Sequence, residues 1–428
     1  MQSNNRWRLF VMMALQFFIW GAWLPLIWDY MDGGVANGGL GFSGAQQKWI
    51  GSAFAIASIV AVFFSNQFAD RKFAGEKFVA FSHLVGGLTL LGLWTVTDFT
   101  LFFGLMLVHS LFYVPTISVT NSIAFANLRD PQREFGVVRV GGTIGWIAAA
   151  WPLYFLLQGL SPAEAVAASR HIFLVAAVAS FVLAAFALTL PPTPPKPATV
   201  RGEELAWVKA VRLLGQPFML VLFVVTFVDA TIHAGYFKVT GGFLSSIGFE
   251  KQWIMPIMSI GQVAEILTMA VLGVVLAKLG WRTTMVLGVL GHAVRFGVFA
   301  YFGHTDHQAV IVAVQVLHGI CYAFFFATVY IFVDAYFPKD VRTSAQGLFN
   351  LMILGLGDLA ANWIFFPLRD SLTTKAIVEG KEVATVDYHS LFLVPTGMAL
   401  VAAVLLAVAF KPPHAPAPAG ARGSAAAH

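Results

Sequence analysis

The sequence alternates between long apolar segments and short polar ones. An α-helix needs about 20 apolar residues to cross a membrane, and on that basis the pattern predicts twelve crossings. Numbered in order as predicted spans 1 to 12, they lie near residues 8–30, 46–68, 78–96, 99–124, 138–158, 171–190, 214–237, 253–277, 283–302, 308–333, 343–368 and 388–410. The sequence therefore predicts an all-α membrane protein.

A proline-rich segment divides the predicted spans into two sets of six. Its prolines prevent helix continuation, and charged residues return there. We predict an N-terminal six-helix bundle at 1–190, a cytoplasmic linker at 191–212 and a C-terminal six-helix bundle at 213–411. Residues 412–428 are rich in Pro, Ala and Gly and have little to bury, so we expect a disordered tail. Paired halves of this kind are typical of transporters that open alternately to the two sides of a membrane.

The composition also indicates a membrane protein. Hydrophobic residues make up 58% of the chain and charged residues 11%, with a mean hydropathy of +0.77, which is unusual for a soluble domain. The first apolar segment, Leu9 to Tyr30, is longer than the apolar core of a signal peptide, so we predict a retained helix. The single cysteine, Cys321, excludes an intramolecular disulfide. We expect neither a metal site nor a cofactor.

Positive charge is distributed unevenly between the predicted loops. Of the 26 Lys and Arg residues, 18 lie on the side of the N-terminus and 6 on the opposite side. Cytoplasmic loops carry an excess of Lys and Arg, so we predict that both termini are cytoplasmic. Topology thus accounts for the net charge of +5, and we expect no nucleic-acid partner.

Predicted span 8 carries a carboxylate near the middle of an apolar segment. Glu265 follows Gln262 by one turn, on the same helix face. A charge at this depth is costly, so such residues usually face a partner or a cavity inside a helical bundle. One interpretation is a structural ion pair with Arg139 or Arg295. The other is a polar anchor for substrate that also exchanges a proton.

Predicted span 5 carries Arg139, Thr143 and Trp146 at the i, i+4 and i+7 positions of one helix face. Arg can donate to a ribose hydroxyl or a carbonyl, Thr can donate or accept, and an indole can stack on a flat ring. Alternatively, Arg139 reaches to the cytoplasmic surface and Trp146 serves only in packing. The glycines of this span that predict close approach of another helix are Gly141, Gly142 and Gly145.

Predicted span 7 carries a polar stripe at helical spacing, formed by Asp229, His233, Tyr236 and Phe237. Such a stripe is too polar to face lipid, so we predict that it faces the protein interior. It either binds substrate or satisfies itself internally, for example through a pair between Asp229 and His233.

Predicted span 10 carries His318 and Tyr322 one turn apart, followed by three phenylalanines that we expect in the core or against lipid. An imidazole titrates near physiological pH and both donates and accepts hydrogen bonds. The candidates for proton coupling are therefore Glu265, His318 and Asp229.

Six segments spread along the chain carry a family resemblance. In chain order they read LQFFIWGAWL, VPTISVTNSIAF, VRVGGTIGW, IMSIGQVAE, LHGICYAFFF and TSAQGLF. They resemble the nucleoside:proton symporters of the major facilitator superfamily. Residues 69–77, ADRKFAGEK, are similar to the signature loop of that superfamily, and a short basic turn recurs at 278–282.

The resemblance implies the major facilitator fold, with twelve transmembrane helices in two six-helix bundles, and a nucleoside site. Residue by residue it implies Arg139, Thr143, Trp146, Gln262, Glu265 and Tyr322 as lining residues. His318 falls where the family has a tyrosine, and Ala323 falls where the family has an aspartate, which puts proton coupling in question. With the span 7 residues, the full set of candidate substrate-binding residues is Arg139, Thr143, Trp146, Gln262, Glu265, His318, Tyr322, His233, Tyr236 and Phe237.

A nucleoside suits these groups, because it joins a flat aromatic ring to a sugar rich in hydroxyls and lacks the phosphate that a basic cluster would bind. We expect a secondary active transporter that imports nucleosides by proton symport through alternating access. We expect a monomer in the lipid bilayer of the inner cell membrane. The alternatives are a transporter of another neutral polar solute such as a sugar, and a membrane sensor that binds its ligand without moving it. The sequence contains no phosphate loop, zinc-ligand spacing or nucleophile elbow, so an enzyme is not expected.

Overall fold

The computed structural model describes residues 3–61, 73–195, 214–337, 339–378 and 381–412. This part of the chain is mostly helical. Its α-helices are α1 (Ser3–Asp32), α2 (Gly44–Val60), α3 (Gly75–Thr95), α4 (Phe99–Asn127), α5 (Pro131–Ala148), α6 (Ala150–Leu157), α7 (Pro162–Ala168), α8 (His171–Ala187), α9 (Pro217–Ser246), α10 (Lys251–Phe302), α11 (Gln308–Val314), α12 (Val316–Cys321), α13 (Thr328–Tyr336), α14 (Lys339–Asn350), α15 (Gly357–Ser371) and α16 (Tyr388–Ala409).

Shorter elements lie between some of these helices. Two π-helical turns, Tyr322–Ala327 and Leu351–Leu356, follow α12 and α14. Two strands, β1 (Thr373–Val378) and β2 (Lys381–Val386), pair antiparallel between α15 and α16.

Ten helical segments among the described residues are long and apolar enough to cross a membrane. One of them is α10, which is 52 residues long and covers predicted spans 8 and 9. Its backbone leaves helical geometry at Gly280, where φ is 70° and ψ is 174°. The protein is thus a helical membrane protein, and the count of twelve spans stays a prediction.

Three sequence predictions fall on residues that the structure does not describe. Residues 62–72 contain the end of predicted span 2 and the acidic and basic pair of the signature loop, Asp70 and Arg71. Residues 196–213 contain most of the predicted linker, and residues 413–428 contain nearly all of the predicted tail.

Polar side chains set the beginnings of several helices. Ser43 and Gln46 form a reciprocal cap at the start of α2, with the Ser43 backbone N–H donating to Gln46 Oε1 at 2.9 Å. At the start of α16, the Ser390 backbone N–H donates to Asp387 Oδ1 at 3.1 Å. Hydrogen bonds from Ser390 lower the pKa of Asp387 below its ordinary value.

The chain divides into two compact units. Unit 1 contains the residues up to Thr199 together with Phe237–Ser259. Within it, α1 packs against α5 and α8, and α3 packs against α4 and α8. A Cβ atom added at Gly145 of α5 would lie 1.9 Å from the carbonyl oxygen of Ala14 in α1, so these helices touch through their backbones. The predicted close approach at the span 5 glycines is confirmed.

Unit 2 contains Val200–Tyr236 and the residues from Ile260 onward. Helix α9 therefore contributes residues to both units. In unit 2, α10 and α12 approach nearly as closely as α1 and α5 do in unit 1. A Cβ atom added at Gly319 of α12 would lie 2.1 Å from the backbone nitrogen of Glu265 in α10.

Candidate functional site

Three residues of the polar stripe of α9, Asp229, His233 and Tyr236, belong to unit 2, and Phe237 belongs to unit 1. The side chains of Asp229 and Tyr236 are completely buried, and His233 is half-buried. The apolar residues that surround these positions in sequence make α9 a membrane helix, and its polar stripe must therefore find partners on neighbouring helices. The prediction that this stripe faces the interior is confirmed for Asp229 and Tyr236.

Arg295, in the second half of α10, forms the centre of a buried polar cluster. Its Nη1 lies 2.7 Å from Nδ1 of His318, and its Nη2 lies 3.0 Å from Nδ1 of His292. The guanidinium also lies over the ring of Tyr236, with Cζ 4.2 Å from the ring centroid. A single fully buried cation thus contacts side chains from α9 and α12 as well as from its own helix.

Asp229 faces the other side of the His292 ring. Its Oδ1 lies 3.6 Å from Nε2 of His292, and both side chains are completely buried. Among the described residues, neither carboxyl oxygen of Asp229 makes a hydrogen bond. Asp229, His292, Arg295 and His318 therefore follow one another in a continuous buried row. We refer to this row as the Arg295 cluster.

Aromatic contacts place His233, Tyr236 and Tyr322 around the Arg295 cluster. The rings of His233 and His318 stack, with centroids 4.7 Å apart and planes 28° apart. Tyr322 lies 6.1 Å from His233, measured between ring centroids. The hydroxyl of Tyr236 donates to Oε1 of Gln315 at 2.8 Å. The structure thus brings together the candidates of two predicted spans.

Gln262 and Glu265 lie in the first half of α10, where that helix touches α12. A Cβ atom at Gly261 would lie 2.8 Å from Cβ of His318, so the turn that carries Gln262 and Glu265 runs beside the histidine. Gln262 is 6% exposed, and its side-chain oxygen has no hydrogen-bond partner among the described residues. Glu265 is half-buried. A buried amide oxygen without a donor is a ready acceptor for a bound molecule.

The span 5 candidates lie in unit 1, where they join an aromatic group. The guanidinium of Arg139 stacks over Phe17, with Cζ 4.2 Å from the ring centroid. Trp146 makes edge-to-face contacts with Trp20 at 5.5 Å and with Phe237 at 5.7 Å between ring centroids. Thr143 is half-buried on the same helix. Unit 1 therefore presents a cation, a hydroxyl and several aromatic rings near α5.

Unit 1 also holds a buried hydrogen-bond network that sequence reasoning missed. Gln16 Nε2 donates to the hydroxyl of Thr116 at 2.9 Å, and Gln16 Oε1 lies 2.9 Å from Nε2 of His83. The hydroxyl of Tyr113 donates to the Gln16 carbonyl at 2.7 Å. This network ties α1 to α3 and α4. Its signal in the sequence was a Gln and a His inside apolar segments.

His292 and Arg295 were not predicted as site residues either, and Arg295 was considered only as a possible partner for Glu265. They lie three residues apart in an apolar helix, which is the same signal that singled out Gln262 and Glu265. The rule that intramembrane polar residues mark function or pairing could have found them.

Comparison with known proteins assigns this chain to a family. A family profile described as Nucleoside H+ symporter matches residues 3–415. YegT of Escherichia coli (strain K12) is 36% identical over 358 residues, covering 82% of this chain and 81% of that protein. Xanthosine permease of the same organism is 30% identical over 428 residues, covering 96% of each chain.

A solved structure is similar as well. The crystal structure of the nucleoside transporter NupG superposes with a TM-score of 0.80 at 26% sequence identity, covering 96% of this chain and 100% of that one. The family profile, xanthosine permease and NupG each match nearly the whole chain, and YegT matches 82% of it. This chain belongs to the nucleoside H+ symporter family.

Proposed function

We propose that this protein is a secondary active transporter that imports nucleosides together with protons by alternating access. The observation that carries the proposal is the polar turn of α10 with buried Gln262 and half-buried Glu265, in a chain that the family profile matches over residues 3–415. Gln262 offers an acceptor oxygen that no described residue uses. A sugar hydroxyl or a base amine is the kind of donor that would use it.

The proposed substrate-binding groups suit a nucleoside. In unit 1, Arg139 and Thr143 supply hydrogen bonds, while Trp146 and Phe237 supply aromatic surface. In unit 2, the proposed groups are Gln262, Glu265, His233, Tyr236, His318 and Tyr322. Stacking surfaces combined with a few polar groups are what a neutral, flat and hydroxyl-rich molecule requires.

We assign proton coupling to two acids, the half-buried Glu265 and the completely buried Asp229. Ala323 cannot carry a proton, so the role passes to other groups in this chain. Glu265 and Asp229 are the carboxyls available in unit 2 next to the proposed binding groups. His318 can take part only when its Nδ1 leaves the guanidinium of Arg295, because a guanidinium has donors and no acceptor.

The proposed transporter has the major facilitator fold, with twelve spans in two bundles. In this arrangement the backbone break at Gly280 separates spans 8 and 9, and α2 forms the first part of span 2. Both termini are cytoplasmic, as the distribution of Lys and Arg favours. The protein acts as a monomer in the inner membrane of the cell.

The test is uptake of radiolabelled nucleosides into proteoliposomes with an imposed pH gradient. We expect accumulation that depends on the gradient. Uptake of sugars without uptake of nucleosides would overturn the substrate assignment, and uptake that ignores the gradient would overturn the coupling. Thermal stabilisation by nucleosides without any uptake would favour a sensor.

The same assay separates the two roles of Glu265. Glu265→Gln keeps a hydrogen-bonding side chain but cannot carry a proton, so we expect accumulation to fall while nucleoside exchange at equal pH continues. Unchanged accumulation would exclude Glu265 as a coupling residue and leave Asp229 as the coupling carboxyl. Glu164→Gln is a matched control, because Glu164 is exposed and a Gln can replace it in the helix cap that it forms with Ser161.

A further inference from the structure

The contacts of Arg295 determine which nitrogen of each neighbouring histidine carries a hydrogen. A guanidinium only donates hydrogen bonds. Nδ1 of His292 and Nδ1 of His318, at 3.0 Å and 2.7 Å from the guanidinium, must therefore accept. Each ring, when neutral, then carries its hydrogen on Nε2. Protonation at Nδ1 would set one N–H against another and break the contact.

The tautomer of His292 has a consequence for Asp229. With its hydrogen on Nε2, His292 directs an N–H toward Oδ1 of Asp229, 3.6 Å away. No described residue donates a hydrogen bond to that carboxyl. His292 is thus the group that presents a donor to the buried acid, in the way that an outer partner fixes the tautomer of a metal-binding histidine.

The net charge of the Arg295 cluster changes when Asp229 gains or loses a proton. Arg295 is a permanent cation, so an ionised Asp229 makes the pair neutral and a protonated Asp229 leaves one positive charge. His318 of the cluster is itself titratable, and the titratable side chains packed around the cluster are His233 and Tyr236 of α9, Cys321 of α12, and Tyr322, which follows α12. Glu265 is a second carboxyl, on the turn of α10 that runs beside His318. Asp229 is the carboxyl that His292 faces.

We propose that His292 and Arg295 are positioning residues for the transported proton. Arg295 holds His292 in its Nε2–H form, and His292 presents that N–H to Asp229, which binds the proton on a carboxyl oxygen and releases it from the same group. The cluster replaces the acid that the family has at the position of Ala323. This inference rests on the proposed proton-coupled uptake.

The test compares two substitutions of His292 in proteoliposomes. His292→Gln keeps one acceptor and one N–H donor but cannot be protonated near neutral pH. His292→Phe keeps the ring shape and removes both hydrogen-bonding groups. We expect His292→Gln to accumulate nucleoside nearly as well as the wild type, and His292→Phe to lose accumulation while retaining exchange at equal pH. Full accumulation by His292→Phe would overturn the proposal, as would complete loss in a folded His292→Gln.

The pH profile gives a readout that a merely structural role would not move. The guanidinium of Arg295 is a planar fork that reaches Nδ1 of both His292 and His318. In Arg295→Lys the ammonium has no such fork and can reach only one of these two atoms. We expect the midpoint of its uptake profile to shift to higher pH, because an ionised Asp229 would lose its donor. An unchanged midpoint in a folded variant would overturn the proposal. Asp229→Asn, which is nearly isosteric, should lose accumulation and keep exchange.

Two comparisons keep the outcomes separate. His389→Phe is the matched control, because His389 lies in the same unit with Nδ1 3.0 Å from the carbonyl of Ala300, outside the Arg295 cluster. A wild type that does not respond to a pH gradient would refute the proposed function itself. A wild type that responds, with His292→Phe and Asp229→Asn that respond equally, would refute only this inference.

Discussion

The contact between α10 and α12 makes Gly319 the position where a single methyl group should have the largest effect on the site. A Cβ atom there would lie 2.1 Å from the backbone nitrogen of Glu265, 2.4 Å from the carbonyl oxygen of Gly261 and 2.6 Å from the carbonyl carbon of Ala264. All three are backbone atoms, so no change of rotamer can relieve the clash. Carbon atoms in contact lie about 3.5–4.0 Å apart, so α10 and α12 must separate by more than about 1 Å.

The expected effect of Gly319→Ala follows from two opposing contributions. Overpacking costs about 1–3 kcal/mol or more, and the better helix propensity of Ala returns up to about 1 kcal/mol. We therefore expect a net loss of roughly 0–3 kcal/mol, toward the upper end because all three clashing atoms belong to the backbone. Displacing Glu265 by this distance should reduce the initial rate of uptake by on the order of 100-fold, the effect of a comparable misplacement in an enzyme site.

Thermal unfolding in detergent and initial uptake rates measure the two effects. Gly273→Ala is the matched control, because Gly273 lies on α10 as well and a Cβ atom there would meet nothing within 4 Å. If Gly319→Ala equalled Gly273→Ala in both measurements, the close contact of α10 and α12 would be wrong.

Two further predictions concern stability. Gln16→Leu should lower the unfolding temperature, because it leaves Nε2 of His83 without its acceptor and the Thr116 hydroxyl without its donor, and each unsatisfied buried group costs about 1–3 kcal/mol. The surface variant Gln158→Leu should not lower it, and an equal effect of both would refute the role of the network. Asp387→Ala should cost a small amount of stability at neutral pH through loss of the α16 cap. Because the pKa of Asp387 is lowered in the folded protein, the cap contributes above the ordinary pKa of Asp, and the difference from wild type should vanish as pH falls through the lowered pKa. A difference that persists in acid would contradict this.

Long apolar segments predicted helix positions well, since burial in lipid leaves few other structures for them. Predicted span 4 at 99–124 corresponds to Phe99–Asn127, and predicted span 12 at 388–410 corresponds to Tyr388–Ala409. The end of α9 differed from that of predicted span 7 at 214–237, because the helix continues past Lys238 to Ser246. Lys238 is only 4% exposed, and its Nζ lies 5.3 Å from the ring centroid of Trp28. Contact with Trp28 thus stabilises Lys238 inside the helix, although the sequence pattern predicts a helix end at this charged residue.

The β-hairpin between α15 and α16 was missed, although its signal was present. Residues 373–386 are rich in Thr, Val and Ile, which favour strands. They lie between two long apolar segments. The search for membrane spans uses only the length of apolar segments, so it gives no information about strands between them.

The sequence predicted which helix face carries each candidate side chain, but it did not predict which residue of a neighbouring helix that side chain would contact. The spacing of Asp229 and Tyr236 placed both on one side of α9, and the structure buries both. That His292 would face Asp229, and that Arg295 would reach His318, depends on which helices are neighbours. Helical periodicity fixes the direction of a side chain around its own axis and says nothing about the helix opposite.

The hydrogen bonds around Gln16 determine which of the atoms in this network carry hydrogens. Thr116 donates to the Tyr113 carbonyl at 2.5 Å, so its oxygen accepts from Gln16, and Gln16 Oε1 in turn requires a hydrogen on Nε2 of His83. The single hydroxyl hydrogen of Ser180 then faces two acceptors on His83, the carbonyl at 2.9 Å and Nδ1 at 3.2 Å. The core of unit 1 therefore has two hydrogen arrangements with the same heavy-atom positions, and they interconvert by rotation of one hydroxyl group.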